Sequence, residues 1–418
     1  MIISFSGPSG SGKSTIIKEI KKSPLFDSKK IILREEDSFS TIKFFKSLLG
    51  DNVFLKYKDE KYFKKEYNDI FYYLFSKLTQ VVYPVVVYIE FLVDYFRYEI
   101  ISKETILLVD KFIYDHDVIF KNILRIKYKW VDWLFNHFPK VYLSFLIDIN
   151  LNNASIDRNK NNIPGKVTSD GVLHKNILTQ YSKIAQQHKL IVIDNNGNLK
   201  EAVSEVQRYI VNKNKLINAK EISISGLDGA GKTTTANMLV EYADFLSIKS
   251  KVVHFVHNNL LYRLLVKMGY YDFNQPKSVL YKRSRAHSAK ERINRTSLFM
   301  AFLRFFDSYV QYLFFTLTNR SKLIIFDRFF YDYSVSFEYL DIKGRSFFNK
   351  LIPEVKNKFL FNIPPMISYR RKPERVKAFF IDCYEIYLKV AKDHDLKIIN
   401  TDRKSRSEIL QELIDNLH

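Results

Sequence analysis

Residues 226–234 read GLDGAGKTT, and residues 7–15 read GPSGSGKST. Both fit Gly-x-x-x-x-Gly-Lys-[Ser/Thr], and both follow a short apolar segment, EISIS at 221–225 and IISFS at 2–6. A strand running through such a loop into a helix is an arrangement that cradles phosphate. Glycines permit the positive φ values that turn successive backbone N–H groups inward. The helix that follows adds the positive end of its dipole. Lys13 and Lys232 are therefore expected at the β and γ phosphates of ATP or GTP, with Ser14 and Thr233 as hydroxyl ligands of Mg²⁺. The remaining loop residues complete the two expected nucleotide sites: Gly7, Ser9, Gly10, Ser11, Gly12 and Thr15 in the first, and Gly226, Asp228, Gly229, Ala230, Gly231 and Thr234 in the second. Chance produces this pattern in on the order of 1% of chains of such length, so two occurrences in the right context point to phosphate binding.

Working outward from the loops, two further pairs of segments repeat in the same order. ILLVDKFIYDHDV at 106–118 matches LIIFDRFFYDYSV at 323–335, and YSKIAQQHKLIVID at 181–194 matches YLKVAKDHDLKIIN at 387–400. Three pairs in register mark one unit written twice, the second copy slightly shorter between its motifs. The polar stretch NKNKLINAK at 212–220 reads as a linker, which places domains at 1–215 and 216–418. Short continuous apolar runs at 2–6, 106–109, 141–147 and 190–193 predict buried parallel strands, as do those at 221–225, 323–326, 358–361 and 396–399. Strands alternating with helical stretches predict an α/β fold of two tandem P-loop NTPase domains, each a parallel sheet flanked by helices. Ligands of such sheets bind at the carboxyl ends of the strands, where these motifs fall.

Asp110 and Asp327 each end an apolar strand, where a carboxylate holds a water on Mg²⁺ or orients the attacking group; helix capping is the alternative role. Arg328 follows Asp327 and is suited to a bidentate grip on an acceptor phosphate. The first copy carries Lys111 there, which keeps the charge and loses the fork. Arg370, Arg371 and Lys372, after NIPPMISY, form a cationic cluster late in the second copy. Arg158 and Lys160, within IDRNKNN, form a sparser one in the first. Cations closing over a γ-phosphate neutralise charge in the transition state, whereas the plainer reading is a solvated basic loop. The catalytic candidates are thus Lys232, Asp327, Arg328, Arg370 and Arg371, with Lys13, Asp110 and Arg158 in the first copy. Ser14, Thr233, Asp110 and Asp327 are the candidate metal ligands.

The bulk properties set bounds on the partners. A chain of 418 residues has room for two or three domains, and 46% hydrophobic with 27% charged residues is ordinary for a soluble globular chain. One cysteine excludes an internal disulfide and a thiolate cluster and fits a reducing compartment, so the expectation is cytoplasmic. The longest apolar run, residues 81–89, contains Pro84 and is too short for a membrane span. The net charge of +21 comes from scattered lysines in a chain also rich in Ile, Asn, Phe and Tyr, which reads first as compositional and second as a sign of a phosphate-rich partner such as a nucleotide, nucleic acid or anionic lipid. The basic run KRSRAHSAKERINR at 282–295 reads as a solvated helix face, with a phosphorylated acceptor or nucleic acid as the less favoured partner. The aromatic stripe at 299–315 has helical spacing and is expected in the core, and His188 and His394 are weak as ligands.

At GLDGAGKTT, FDRFFYD and NIPPMISYRRKPE the second copy resembles the thymidylate kinase family of nucleoside monophosphate kinases, over most of residues 220–418. The resemblance implies transfer of the γ-phosphate of ATP, with Mg²⁺, to dTMP. It further implies Asp228 facing the acceptor nucleotide, Asp327 and Arg328 working at its phosphate, and Arg370 and Arg371 on a lid. Two departures stand out. The family's Arg-Glu-Pro element has no counterpart near 252–257, and FFYDYSVSFEY follows the Asp-Arg pair. That variant resembles a divergent thymidylate-kinase-like branch, some of whose members belong with surface-glycan synthesis. The first copy matches more loosely, having Ser9 in place of Asp228. Its REEDSF at 34–39 is similar to the region of Arg-Glu-Pro in thymidylate kinases and Asp-x-Phe in uridine kinases, making Arg34, Glu36 and Asp37 candidate acceptor contacts. The leading expectation is ATP- and Mg²⁺-dependent phosphoryl transfer to a small acceptor, a nucleoside monophosphate first and a sugar second. A nucleotide-dependent switch or regulatory ATPase is the rival, and the first copy is expected to be the weaker catalyst or a binding module.

Overall fold

Alternating strands and helices assemble here into two sheets of the same design. The computed structural model describes residues 1–23, 30–34, 69–101, 105–122, 128–148, 171–254, 295–319, 322–339, 341–342 and 344–418. The chain divides into two compact units, Met1–Val211 and Asn212–His418.

The first unit runs β1 (Ile2–Ser6), α1 (Lys13–Lys21), β2 (Lys30–Arg34), α2 (Asp69–Tyr95), β3 (Thr105–Asp110), α3 (Ile113–Asn122), α4 (Lys129–Asn136), β4 (Leu143–Asp148), α5 (Gly171–His188), β5 (Ile191–Asp194) and the first part of α6 (Leu199–Ala219), a helix that continues into the second unit after Val211. Its strands lie in the order β2-β3-β1-β4-β5. All the pairs are parallel, with Ile2 opposite Leu107 and Ile3 opposite Leu143. β1 lies in the middle and is buried along its whole length, with Phe5 stacked on Phe145 at 5.5 Å between ring centres. A strand covered on both faces needs no polar alternation, which is why IISFS is nearly continuous in apolar and small residues.

The second unit runs β6 (Glu221–Gly226), α7 (Lys232–Phe245), β7 (Ser250–His254), α8 (Arg295–Thr318), β8 (Leu323–Asp327), α9 (Phe330–Tyr339), α10 (Arg345–Lys350), β9 (Asn357–Asn362), α11 (Pro365–Arg371), α12 (Lys377–Asp393), β10 (Lys397–Asn400) and α13 (Arg406–Asp415). The order is β7-β8-β6-β9-β10, again all parallel. Ile222, Ile224, Phe326 and Phe359 are fully buried about the central β6. In both sheets the strand leading into the glycine loop is central, flanked by the acid-bearing strand on one side. Each sheet therefore delivers loop and acid side by side at its carboxyl edge.

Three sequence expectations change. The stretch at 212–219 is helical, forming the end of α6: the apolar period continues through it, burying Ala202, Val206, Ile210, Leu216 and Ala219. Asn212 is buried too, donating to the Tyr242 hydroxyl at 2.9 Å, so polar composition alone misread a helix face. The aromatic stripe on α8 divides: Phe305 is buried, whereas Phe302, Phe306 and Phe314 are exposed. β2 and β7, both partly buried edge strands, were not among the predicted strands. Among the described residues, no helix is long and apolar enough to cross a membrane.

Ile224→Ala, which empties a fully buried site in β6, should destabilise the second unit by about 2–5 kcal/mol. Ile398→Ala on half-exposed β10 should cost far less, and urea unfolding followed by circular dichroism separates the two.

Candidate phosphate-binding sites

At the carboxyl edge of β6 the chain must turn sharply while passing against β9. A Cβ on Gly226 would sit 2.5 Å from the Phe361 carbonyl oxygen, so only glycine fits. Gly7 meets the Ile147 carbonyl oxygen at the same 2.5 Å in the first unit. Gly12 and Gly231 cap α1 and α7 in the left-handed region, φ 86° and 92°, and thereby start each helix at the loop. Lys13 and Lys232, the first helical residues, fold back over their loops. Lys232 Nζ donates to the carbonyls of Gly226 and Leu227, both at 2.7 Å. Lys13 Nζ donates to those of Gly7 at 2.7 Å and Pro8 at 2.9 Å. Burial, reinforced by the positive charge of Arg328, lowers the Lys232 pKa to about 8, against the opposing pull of Asp332, Asp228 and Asp327.

The strand-end acids reach the hydroxyls that the loop pattern predicted. Thr233 Oγ1 donates to Asp327 Oδ2 at 2.5 Å, and Ser14 Oγ donates to Asp110 Oδ2. In each unit the second carboxylate oxygen, Asp327 Oδ1 or Asp110 Oδ1, is buried without a hydrogen-bond partner. An ionised oxygen shut away from water without a donor is costly unless a cation completes it. The hydroxyl, the carboxylate and its open oxygen fit a hard divalent cation such as Mg²⁺.

The residue after each acid bends out of the strand with positive φ, Lys111 at 65° and Arg328 at 70°. This conformation is uncommon outside glycine, and its recurrence at matched positions shows the turn is built into both units. Its backbone N–H donates back to the central strand, Lys111 to Phe5 O and Arg328 to Ile224 O. The turn brings Arg328 between Asp228, which accepts from Nη2, and Asp332, which accepts from Nη1 at 3.1 Å. Burial pushes the Asp228 carboxyl up, but Arg328, Lys232 and Lys372 outweigh it and hold its pKa below the ordinary value. The guanidinium, buried between the two acids, has its own pKa raised.

Asp332 and Asp115 escaped the sequence analysis as individual residues. Asp332 is 3% exposed and accepts from Ser225 Oγ at 2.7 Å, the Phe329 N–H at 3.0 Å and the Tyr387 hydroxyl at 2.7 Å. Asp115 accepts from the N–H groups of Gly7 at 3.0 Å and Phe112 at 2.9 Å, and from the Tyr181 hydroxyl at 2.8 Å. Burial raises the Asp115 pKa against those bonds and the charge of Lys13. The signal was present: an Asp stands five residues after each strand-end acid, and a Tyr opens each third repeated segment.

The cationic end of α11 is tied to the second loop. Ser368 Oγ donates to the Asp228 carbonyl, and Arg371 Nη1 donates to the Gly229 carbonyl at 3.3 Å. Arg370 and Arg371 are exposed at that end. In the first unit Arg158 and Lys160 lie outside the described residues, as do Glu36, Asp37 and most of the basic run at 282–295. Arg34 is described at the end of β2, paired with Asp94 and 5.3 Å over the Phe91 ring. Asn195, after β5, was not anticipated. Its Nδ2 donates to the Ser11 carbonyl at 2.8 Å and would lie 2.4 Å from a Cβ on Gly12, whereas nothing lies within 4 Å of one on Gly231. His188 and His394 pack on Tyr114 and Tyr331, at 4.8 and 5.3 Å between ring centres, as aromatic neighbours.

Parallel sheets, loop-bearing central strands and adjacent acids define an α/β protein with two P-loop NTPase domains in tandem. No protein-family profile and no curated protein matches the chain. Among solved structures it is similar to a thymidylate kinase from Ehrlichia chaffeensis, with 17% identity and a TM-score of 0.32 over 50% of this chain and 98% of that one. It is also similar to thymidylate kinase from Candida albicans, with 16% identity and a TM-score of 0.34 over 51% of this chain and 92% of that one.

Tyr387→Phe strips one donor from the buried Asp332 and should destabilise the second unit by about 1–3 kcal/mol. Tyr181→Phe should do the same in the first, read in each case from urea unfolding against wild type.

Proposed function

We propose that the chain is an ATP- and Mg²⁺-dependent phosphotransferase, built from a duplicated unit, whose second unit is the more competent catalyst. The observation that carries this reading is the grouping of Lys232, Thr233, Asp327 and Arg328 about one glycine loop. Thr233 and Asp327 would hold the cation, and the loop N–H groups with Lys232 would hold the ATP phosphates. When bound, Mg²⁺ supplies charge neutralisation on the phosphates. Arg328, buttressed by Asp228 and Asp332, would grip an anionic group on the acceptor, and Arg370 and Arg371 would close from α11. Phosphoryl transfer needs little covalent help, so fixed position and fixed charge supply most of the catalysis. Lys111 offers the first unit no such fork, and Asn195 crowds its loop, which supports a weaker catalyst or a binding role there.

A nucleoside monophosphate is the leading acceptor. A second reading, a sugar or other small acceptor without a base, is favoured by the burial of Phe330, Tyr331 and Tyr333. These aromatics pack into the core of the second unit and are withdrawn from stacking on a base.

The test is ADP release with ATP and Mg²⁺ across nucleoside monophosphates and sugars. Release dependent on a monophosphate supports a nucleotide kinase, and release on a sugar alone supports the second reading. Acceptor-independent hydrolysis would instead favour a nucleotide switch. Lys232→Ala should lower kcat by on the order of 10³-fold, a loss of about 4 kcal/mol of transition-state stabilisation, and Lys13→Ala by far less. The reverse ranking would overturn the assignment of the second unit.

The Lys232 pKa near 8 adds a pH signature. Phosphate binds the protonated amine and raises its pKa, so affinity for ATP should be flat below about pH 8. Above it, affinity should fall by up to tenfold per pH unit as the free amine deprotonates. Calorimetric titrations at pH 7 and pH 9 read this directly, and Lys232→Ala should abolish the difference.

A further inference from the structure

β7 is an edge strand, and its last residue stands in register with the last residue of β8, His254 opposite Asp327. The imidazole is half-exposed, and its Nδ1 lies 2.9 Å from Asp327 Oδ2, the same oxygen that accepts from Thr233 at 2.5 Å. A hydroxyl and a ring nitrogen thus gather on one carboxylate oxygen, Asp327 Oδ2, while the other, Oδ1, is buried without a partner. Asp327 itself is 4% exposed, so its open oxygen is not satisfied by bulk water. Two adjacent donors of an octahedral ion, each at about 2.1–2.2 Å, stand about 3.0 Å apart, which matches the separation of Nδ1 and Oδ2.

Resting on the proposed cation site at Thr233 and Asp327, we propose that His254 Nδ1 is a third protein ligand there. The second unit would then prefer a first-row transition ion to Mg²⁺. Magnesium takes oxygen donors, whereas imidazole nitrogen raises affinity along the series from manganese to copper. In its neutral form, with the ring proton on Nε2, His254 presents a lone pair at Nδ1. Entry of the ion replaces the contact between His254 and Asp327, and phosphate oxygens and water fill the remaining positions. The first unit differs. Its acid meets Ser14, and among the described residues no imidazole is recorded on Asp110. Arg34, the last residue of β2, stands opposite Val109, one residue short of Asp110, and is paired with Asp94.

The experiment uses the full chain carrying Asp110→Asn, so that the first unit's acid no longer competes, with Mn²⁺ and a non-hydrolysable ATP analogue. Pulsed electron paramagnetic resonance should show ¹⁴N coupling from a directly bound imidazole. His254→Ala and His254→Asn, in that background, should both abolish the coupling and weaken Mn²⁺ binding by about tenfold. Mg²⁺ affinity should stay within about twofold, the selectivity expected for a nitrogen ligand. Bound Mn²⁺ without nitrogen coupling, or equal Mn²⁺ affinity in both His254 variants and their parent, would overturn the assignment. Asp327→Asn separates the two levels. If it alone releases the ion, the cation site stands and His254 is not a ligand. If Mn²⁺ still binds unchanged, the cation site itself is wrong.

Discussion

The buried carboxylate of Asp332 holds the second site together, and Asp115 does the same in the first. Asp332 collects donors from the end of β6, from the turn after β8 and from α12, and it also faces Arg328. A carboxylate in a dry interior is tolerable only when its lone pairs are filled, so each donor is held as firmly as the acid is buried. The consequence reaches beyond stability. The turn that places Arg328 is pinned by a bond to Phe329, and the strand that launches the loop is pinned by one to Ser225. The loop and the arginine therefore cannot drift apart without stranding a buried charge.

The two units share this frame and differ in what it carries. Both have the same strand order, the same glycine geometry and the same positive-φ residue after the acid. The second fills the frame with Asp228, Arg328 and His254, all gathered about Asp327 or the loop. The first has Ser9 and Lys111 at the matching sequence positions, and Asn195 pressed against Gly12. A common scaffold with unequal side chains is what division of labour requires, because backbone N–H groups bind phosphate in either unit while chemistry depends on the charges around it.

Much of the frame was legible from local pattern. The central strands and the acid-bearing strands announced themselves as apolar runs because both their faces are covered. The loops were legible because glycine is demanded by close backbone approach, at Gly226 against Phe361 and at Gly7 against Ile147. Two of the four edge strands, β2 and β7, were not read as strands, and both are only partly buried. The segment at 212–219 misled because its polar residues lie on a helix, and Asn212 finds a partner in Tyr242.

The sequence by itself determined the α/β class, the two loops, and the recurrence of an acid at the end of the strand that follows each loop. Those features repeat at fixed local spacing, and the physics that demands them acts within a few residues. Tertiary structure alone decided which distant groups meet: Asp332 with Tyr387, Arg328 with Asp228, Asn195 with Gly12, and His254 with Asp327. The last follows from strand register, since parallel pairing of β7 with β8 sets residues far apart in the chain side by side. No local rule contains that register, because it is fixed by how a whole sheet buries its faces.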